Sequence, residues 1–235
     1  MEYTQNTFPQ WLTDWMKINE INLWGIADLK GFYTPEYKEG CNFPIAISFA
    51  VPMNPEIMAS IQKGPNQAYA DEWLRANNHI EKLSDKLTQE FIDRGYYSTA
   101  SAASYHKDFP HKTAATRAGL GWIGKNCQLI TRRYGPWLRL GTVFTTMDLH
   151  SNAPIEKSYC GSCRRCVDSC PSHALQGNTW YPGLEREKIL DADTCFQWTK
   201  EHNTEFHNVH ELCGICSGVC PHGLKLLKNK NYSED

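Results

Sequence analysis

The spacing of cysteines in the last third of the chain restricts its fold and chemistry more than any other feature of the sequence. Eight of the ten cysteines lie there, in two related runs with one cysteine between them. The first run, from Cys160 to Pro171, reads C-x2-C-x2-C-x3-C-P, and the second, from Cys213 to Pro221, reads C-x2-C-x3-C-P. The first spacing is typical of bacterial two-cluster ferredoxins, in which three thiolates bind one [4Fe–4S] cube and the fourth binds the other.

The crossing of ligands between the two runs predicts which thiols share a cluster. One cluster is predicted to be held by Cys160, Cys163, Cys166 and Cys220, and the other by Cys170, Cys195, Cys213 and Cys216. Cys195 is included because the second run has one cysteine fewer than a complete ferredoxin run. With this division each cluster has four sulfur ligands, and none of the eight cysteines is left over.

Zinc and disulfides are the two alternative uses of these cysteines. Paired C-x2-C units can bind one tetrahedral zinc ion, but a third cysteine two residues further on has no place in such a site. The proline after each terminal cysteine also matches the cluster pattern. Disulfides need an oxidising compartment, and nothing in the sequence indicates export. Iron–sulfur clusters are therefore the preferred interpretation.

Composition limits the class of partner and the expected location. The net charge of -2 and the pI near 6.5 argue against a broad nucleic-acid surface, because phosphate binding depends on clustered Lys and Arg. The first twenty residues have neither a basic segment nor a long apolar run, so they do not resemble a signal peptide. No stretch approaches the roughly 18 to 20 apolar residues of a membrane span. We expect a cytoplasmic protein.

Hydrophobic patterning predicts an α+β protein in two parts, an α/β domain over residues 1–150 and a ferredoxin-like module over 151–235. Strands are expected at residues 23–29, 45–51, 96–104, 127–131 and 138–146. Helices are expected at residues 8–18, 66–93, 111–118 and 193–201, and directly after Pro171 and Pro221.

A glycine-rich segment, AGLGWIGKN from Ala118 to Asn126, lies near the end of the first part. Its glycines, Gly119, Gly121 and Gly124, allow close approach of the backbone to a large group. They also form the string G-x-G-x-x-G of dinucleotide-binding folds, but the string follows a predicted helix rather than a strand. A nucleotide site is therefore the less favoured interpretation.

Taken with the cysteine runs, this segment resembles epoxyqueuosine reductase, the corrinoid and iron–sulfur enzyme of the last step of queuosine formation in tRNA. The resemblance covers residues 20–225, and a more distant one links the chain to reductive dehalogenases. It implies a nitroreductase-like α/β domain that binds cobalamin, with reduced ferredoxin or flavodoxin as electron donor. The cofactor-binding residues that it implies are Gly119, Gly121, Trp122, Gly124, Lys125 and Asn126. For Lys125 and Asn126, bonds to corrinoid amides or phosphate and a loop-stabilising role are both compatible with the sequence.

The sequence departs from this family in two ways. Family members continue into a helical-repeat domain that helps to hold tRNA, whereas this chain ends soon after Cys220. The family's proposed proton donor is an aspartate, and the corresponding position here is Tyr105, with Asp108 three residues on. Either side chain could supply the proton, although Tyr105 could simply pack and Asp108 could form a turn. Both departures weaken tRNA as a partner.

The function that this resemblance implies is that of a cobalamin-dependent iron–sulfur reductase. Electrons pass through two [4Fe–4S] clusters to a corrinoid, which reduces a C–O or C–X bond of a small molecule or modified nucleoside, with Tyr105 or Asp108 as proton donor. The alternative is a non-catalytic two-cluster electron-transfer protein or corrinoid-reducing partner.

Overall fold

A computed structural model of the chain describes residues 8–101, 109–202, 206 and 212–229. The helices are α1 (Gln10–Ile18), α2 (Pro55–Ser60), α3 (Gln67–Asp93), α4 (His111–Arg117), α5 (Arg165–Asp168), α6 (Ala192–His202), α7 (Ile215–Gly218) and α8 (Pro221–Asn229). The strands are β1 (Trp24–Asp28), β2 (Glu36–Lys38), β3 (Cys41–Asn42), β4 (Ile45–Pro52), β5 (Ser98–Ser101), β6 (Trp122–Ile123), β7 (Leu129–Ile130) and β8 (Leu138–Thr145). Single 3-10 turns lie at Ile61–Lys63 and Arg186–Lys188.

A four-stranded sheet in the order β1-β4-β8-β5 forms the layered part of the fold. Its central strand β4 is a continuous apolar run, buried at every position but the last, as expected of a strand covered on both faces. Strand β1 pairs with β4 and β5 pairs with β8, both antiparallel. A Cβ on Gly141 of β8 would lie 2.2 Å from the ring of Phe49, so the glycine makes room for this aromatic side chain of β4.

The chain forms two compact units that interleave along the sequence. The first comprises the described residues of Met1–Val51, Asn78–Leu120 and Leu140–Ile155, and the second those of Pro52–Asn77, Gly121–Arg139 and Glu156–Asp235. A compact unit need not be a separately folding or binding domain, so the boundary after residue 150 stays a prediction.

Each unit has its own aromatic core. In the first, the ring of Trp11 contacts that of Phe91 edge-on at 5.2 Å, and Phe109 meets Phe144 in the same way at 5.5 Å. In the second, Trp137 is buried and its indole N–H donates to the carbonyl of Ser217 over 2.9 Å. This bond links the segment that contains Trp137 to helix α7 within the second unit.

The mixed helix-and-sheet architecture was predictable, but several local elements differ from expectation, among them the short strands β2 and β3 and helix α2, which were not predicted. The segment after Pro171 is not helical, because Leu175 instead forms a β-bridge with Leu190. The strand expected at 127–131 is confined to β7, since Cys127 has a positive φ of 57° that ends regular strand geometry. Its partner β6 comes from the glycine-rich segment and was not predicted. Within the described ranges, no helix combines the length and apolar character needed to cross a bilayer.

Candidate iron–sulfur cluster site

The two cysteine runs have the same local structure, a short helix that places one cysteine inside it and another just beyond its end. Helix α5 contains Cys166, and the N–H of Cys170 then donates to the carbonyl of Val167 over 3.2 Å. Helix α7 contains Cys216, and the N–H of Cys220 likewise donates to the carbonyl of Ser217 over 3.2 Å. The repeat in sequence is therefore a repeat in structure.

The first predicted group of four cysteines lines one cavity of about 90 Å³. The residues that line it are Lys125, Asn126, Ile130, Cys160, Cys163, Cys166, Cys220, Pro221 and His222. Three of its cysteines come from the first run and one from the second, as the ferredoxin crossing requires. We call Cys160, Cys163, Cys166 and Cys220 the first quartet.

Burial and nearby thiols raise the pKa values of two cysteines of the first quartet, Cys166 and Cys220. The pKa of Cys166 is raised to about 12, mainly by burial and then by the nearby Cys220, Cys160 and Cys163. Burial also raises the pKa of Cys220 to about 11, with Cys160 and Cys163 contributing. Thiols in this state lose their protons when metal supplies the compensating positive charge, so the arrangement suits thiolate ligation.

The second predicted group, called here the second quartet, comprises Cys170, Cys195, Cys213 and Cys216. Cys195 and Cys216 pack against a buried cluster that consists of Cys170, Ala174 and Leu175. Burial, followed by the charge of Cys170, raises the pKa of Cys195. The pKa of Cys213 is raised to about 11 by burial and, more weakly, by Cys195 and Cys170. The lone cysteine between the runs therefore lies among the thiols with which it was predicted to act.

The arrangement of the first quartet suits a cluster. All ten cysteines are free thiols. A cube carries one iron at each of four corners, so its thiolates surround a volume rather than a point. The four cysteines of the first quartet line one cavity of about 90 Å³ and thus surround such a volume.

Lys125 and Asn126 of the glycine-rich segment contact both cysteine runs. The Lys125 Nζ donates to the carbonyls of Gly161 and Cys163 over 2.9 and 3.2 Å. The Asn126 side-chain amide donates to the carbonyl of Cys216 over 3.4 Å. Both residues are buried, with 6% and 3% of their surface exposed. Of the two roles that the sequence left open, loop stabilisation is observed; binding of a corrinoid stays a prediction.

The three glycines of the segment allow the chain to pack closely on itself. A Cβ on Gly119, where φ is +75°, would lie 2.8 Å from the carbonyl oxygen of Ala153. A Cβ on Gly121 would lie 2.2 Å from the carbonyl oxygen of Ile130, and one on Gly124 would lie 2.3 Å from that residue's side chain. These contacts explain the glycines without a ligand, and their contact with a cofactor is untested.

Trp122 is the residue of this segment that keeps an unused polar group. Its ring is 2% exposed and lies edge-on to Tyr159 and His222, both at 5.1 Å. Its indole N–H has no acceptor within the described part of the chain. Because a buried N–H without an acceptor costs free energy, this donor fits a bound group with an acceptor atom. Tyr105 and Asp108 lie outside the described residues, so their role as proton donor stays a prediction.

Comparison with known proteins agrees with the site. Residues 159–223 match a family described as a 4Fe-4S double cluster binding domain. The epoxyqueuosine reductase of Gloeobacter violaceus is 36% identical over 190 residues, which are 74% of this chain and 55% of the relative. The chain thus spans little more than half the length of that protein.

Two solved structures share the fold. A reductive dehalogenase, whose structure suggests a mechanism for B12-dependent dehalogenation, superposes with a TM-score of 0.68 at 17% identity, over 88% of this chain and 32% of its own. An epoxyqueuosine reductase with an epoxyqueuosine-modified tRNA stem loop gives a TM-score of 0.57 at 18% identity, over 91% of this chain and 65% of its own.

The fold and the two quartets define a protein with a double [4Fe–4S] cluster binding domain. Its sequence is similar to that of an epoxyqueuosine reductase over about three quarters of this chain.

Proposed function

We propose that this protein is a cobalamin-dependent iron–sulfur reductase that passes electrons through its two clusters to a corrinoid. The observation that carries the proposal is the adjacency of the two quartets. Cys166 of the first and Cys216 of the second both pack against the buried cluster of Cys170, Ala174 and Leu175, and Cys166 contributes to the raised pKa of Cys216, after burial and Cys213. Two clusters held this way would exchange electrons over a short path.

The corrinoid, when bound, supplies the reducing chemistry for a C–O or C–X bond. The chain's own residues would hold the clusters, exclude water from them and deliver a proton.

The name of the Gloeobacter relative and the tRNA stem loop of the solved reductase support an epoxide in a modified nucleoside as substrate. Removing an epoxide oxygen as water consumes two electrons and two protons. Reduced ferredoxin or flavodoxin is the proposed electron source, and the corrinoid-binding domain is proposed to be nitroreductase-like.

The proposal is tested by anaerobic purification, cluster reconstitution and iron determination, followed by titration with cob(II)alamin under EPR detection. We expect about eight irons per chain and a base-off cob(II)alamin signal. The reconstituted protein is then given an epoxyqueuosine-modified tRNA stem loop and reduced flavodoxin, and the nucleosides are analysed for loss of oxygen. Clusters and corrinoid without this turnover would refute the substrate, whereas clusters without corrinoid would refute the reductase.

The proton donor is tested separately by Tyr105→Phe, with Asp108→Asn as the comparison. If Tyr105 donates the proton, its variant keeps both clusters and corrinoid but loses turnover by roughly 10² to 10⁴, the usual contribution of general acid catalysis. The measurement is single-turnover product formation at matched iron and corrinoid content. Loss in Asp108→Asn alone would move the role to that residue.

A two-cluster electron carrier is the second candidate. It is favoured by the location of both quartets within one compact unit. Because all eight thiols come from that unit, the clusters could be held and could carry electrons without a corrinoid. In this case the reconstituted protein would transfer electrons to a partner but bind no cob(II)alamin.

A further inference from the structure

The ammonium group of Lys125 is buried at the wall of the first quartet's cavity. It lines that cavity together with the four thiols, and only 6% of the residue is exposed. Two of its three N–H donors go to the carbonyls of Gly161 and Cys163, which lie on either side of Ser162. A buried lysine that is held in this way fixes the cysteine loop and places a positive charge beside it.

This charge would act on a bound cluster more strongly than a surface charge. An exposed charge is screened by water and salt, whereas a buried one interacts through a lower effective dielectric constant. Reduction adds one negative charge to a cluster, so a neighbouring cation stabilises the reduced form. Net charge and hydrogen bonding around the sulfurs are the main factors by which proteins set cluster potentials.

We propose that Lys125 is a positioning residue for the first cluster, which it holds at a higher reduction potential through its charge and its two loop contacts. The inference rests on the cluster-binding part of the proposed function. It assigns to Lys125 a role toward the cluster in place of the corrinoid contact predicted from the sequence. The role is local, because its two hydrogen bonds go only to the loop of the first quartet.

The test is the substitution Lys125→Met, which keeps most of the length of the unbranched side chain but removes the charge and the donors. Lys125→Arg keeps the charge and can still donate to carbonyls. Lys82→Met is the matched control, since Lys82 is an exposed lysine of α3. Each protein is reconstituted anaerobically and its iron content is determined. The reduction potentials of both clusters are then measured by titration with dithionite in the presence of redox mediators, with EPR detection of the reduced clusters.

We expect one of the two reduction steps to shift in Lys125→Met while the other is unchanged. At a fixed potential the ratio of reduced to oxidised cluster should fall about tenfold, which equals about 59 mV for a one-electron couple. The shift should persist at high salt, because the charge is buried. The potential in Lys125→Arg should be close to that of the wild type, and Lys82→Met should behave as wild type.

The proposal would be overturned if Lys125→Met kept both clusters and both reduction potentials were unchanged. It would also be overturned if Lys125→Arg shifted the potential as much as Lys125→Met does. If Lys125→Met does not retain the first cluster, the Lys125→Arg variant gives the answer. A first cluster retained in Lys125→Arg at the wild-type potential supports the proposal, whereas loss of the first cluster from both variants overturns it. A wild-type protein that binds no clusters would instead defeat the proposed function itself.

Discussion

Cys195 is the residue on which the division of the eight thiols into two quartets depends. It is the one cysteine of helix α6, outside both runs, and its position among the second quartet follows from its packing against the buried cluster that contains Cys170. Cys127 is the competitor for this place, because it is buried and also contributes, as the weakest of several causes, to the raised pKa of Cys195. Burial alone does not distinguish a ligand from a small packed side chain.

Substitution of Cys195 by alanine is expected to remove the second cluster alone. The iron content of the reconstituted protein should fall from about eight to about four per chain, because each cube contains four irons. Cys41→Ala serves as the control, since Cys41 lies half-buried in β3. Iron and sulfide analysis with EPR provides the measurement. Full iron in Cys195→Ala, combined with half in Cys127→Ala, would assign the ligand to Cys127.

At the scale of elements, the corner between α2 and α3 is fixed by one buried carboxylate. Glu72 is 6% exposed and accepts from the Asn54 backbone N–H over 2.7 Å and from the Arg75 Nε over 2.6 Å. Asn54 in turn caps α2, with its side chain accepting from the N–H groups of Glu56 and Ile57. Burial opposes ionisation of Glu72, but these donors outweigh it, so its pKa is lowered.

Glu72→Gln should lower the free energy of unfolding by about 1–3 kcal/mol near pH 7, the usual cost of losing a hydrogen bond to a charged group. The pKa of the Glu72 carboxyl is lower in the folded state than in the unfolded state. Its contribution to the free energy of unfolding is therefore fully present above the unfolded-state pKa of about 4.3, and it is lost as the pH falls through the folded-state pKa. Urea unfolding of both proteins at several pH values gives the difference, with iron counted at each pH. Glu81→Gln, at an exposed site of α3, is the control. A constant difference down to acid pH would contradict the role of the carboxylate.

At the scale of the whole molecule, the sequence predicts elements better than it predicts which of them share a unit. The apolar run of β4 and the long amphipathic α3 are strong local signals, and both elements are found as expected. The spacing of the cysteines also predicts their grouping into two quartets, and this grouping stays a prediction. The turn after Pro171 and the hairpin of β6 with β7 depend on tertiary pairing, which leaves no local pattern. A loop-stabilising role for Lys125 was left open, but the loop could not be named from the sequence, because the acceptors of Lys125 are backbone carbonyls that no sequence pattern identifies.

The cysteine runs should be the part of the molecule that depends most on bound metal. Helices α5 and α7 have four residues each, and helices this short are not stable without tertiary support. Iron–thiolate bonds would supply that support, since metal binding is coupled to local folding. The strands β1 and β5 belong to a hydrogen-bonded sheet with its own aromatic core and need no metal.

Removal of iron by anaerobic chelation should therefore increase amide hydrogen exchange in residues 160–170 and 213–220 while leaving β1 and β5 unchanged. We expect an increase of about tenfold or more, which corresponds to a local loss of about 1.4 kcal/mol in opening free energy. Mass spectrometry of peptides from loaded and chelated protein measures it, and Cys195→Ala should show the change mainly in the second quartet's peptides. Equal increases in the sheet would mean that the clusters stabilise the entire molecule, and unchanged exchange in the runs would mean that the thiols are held without metal.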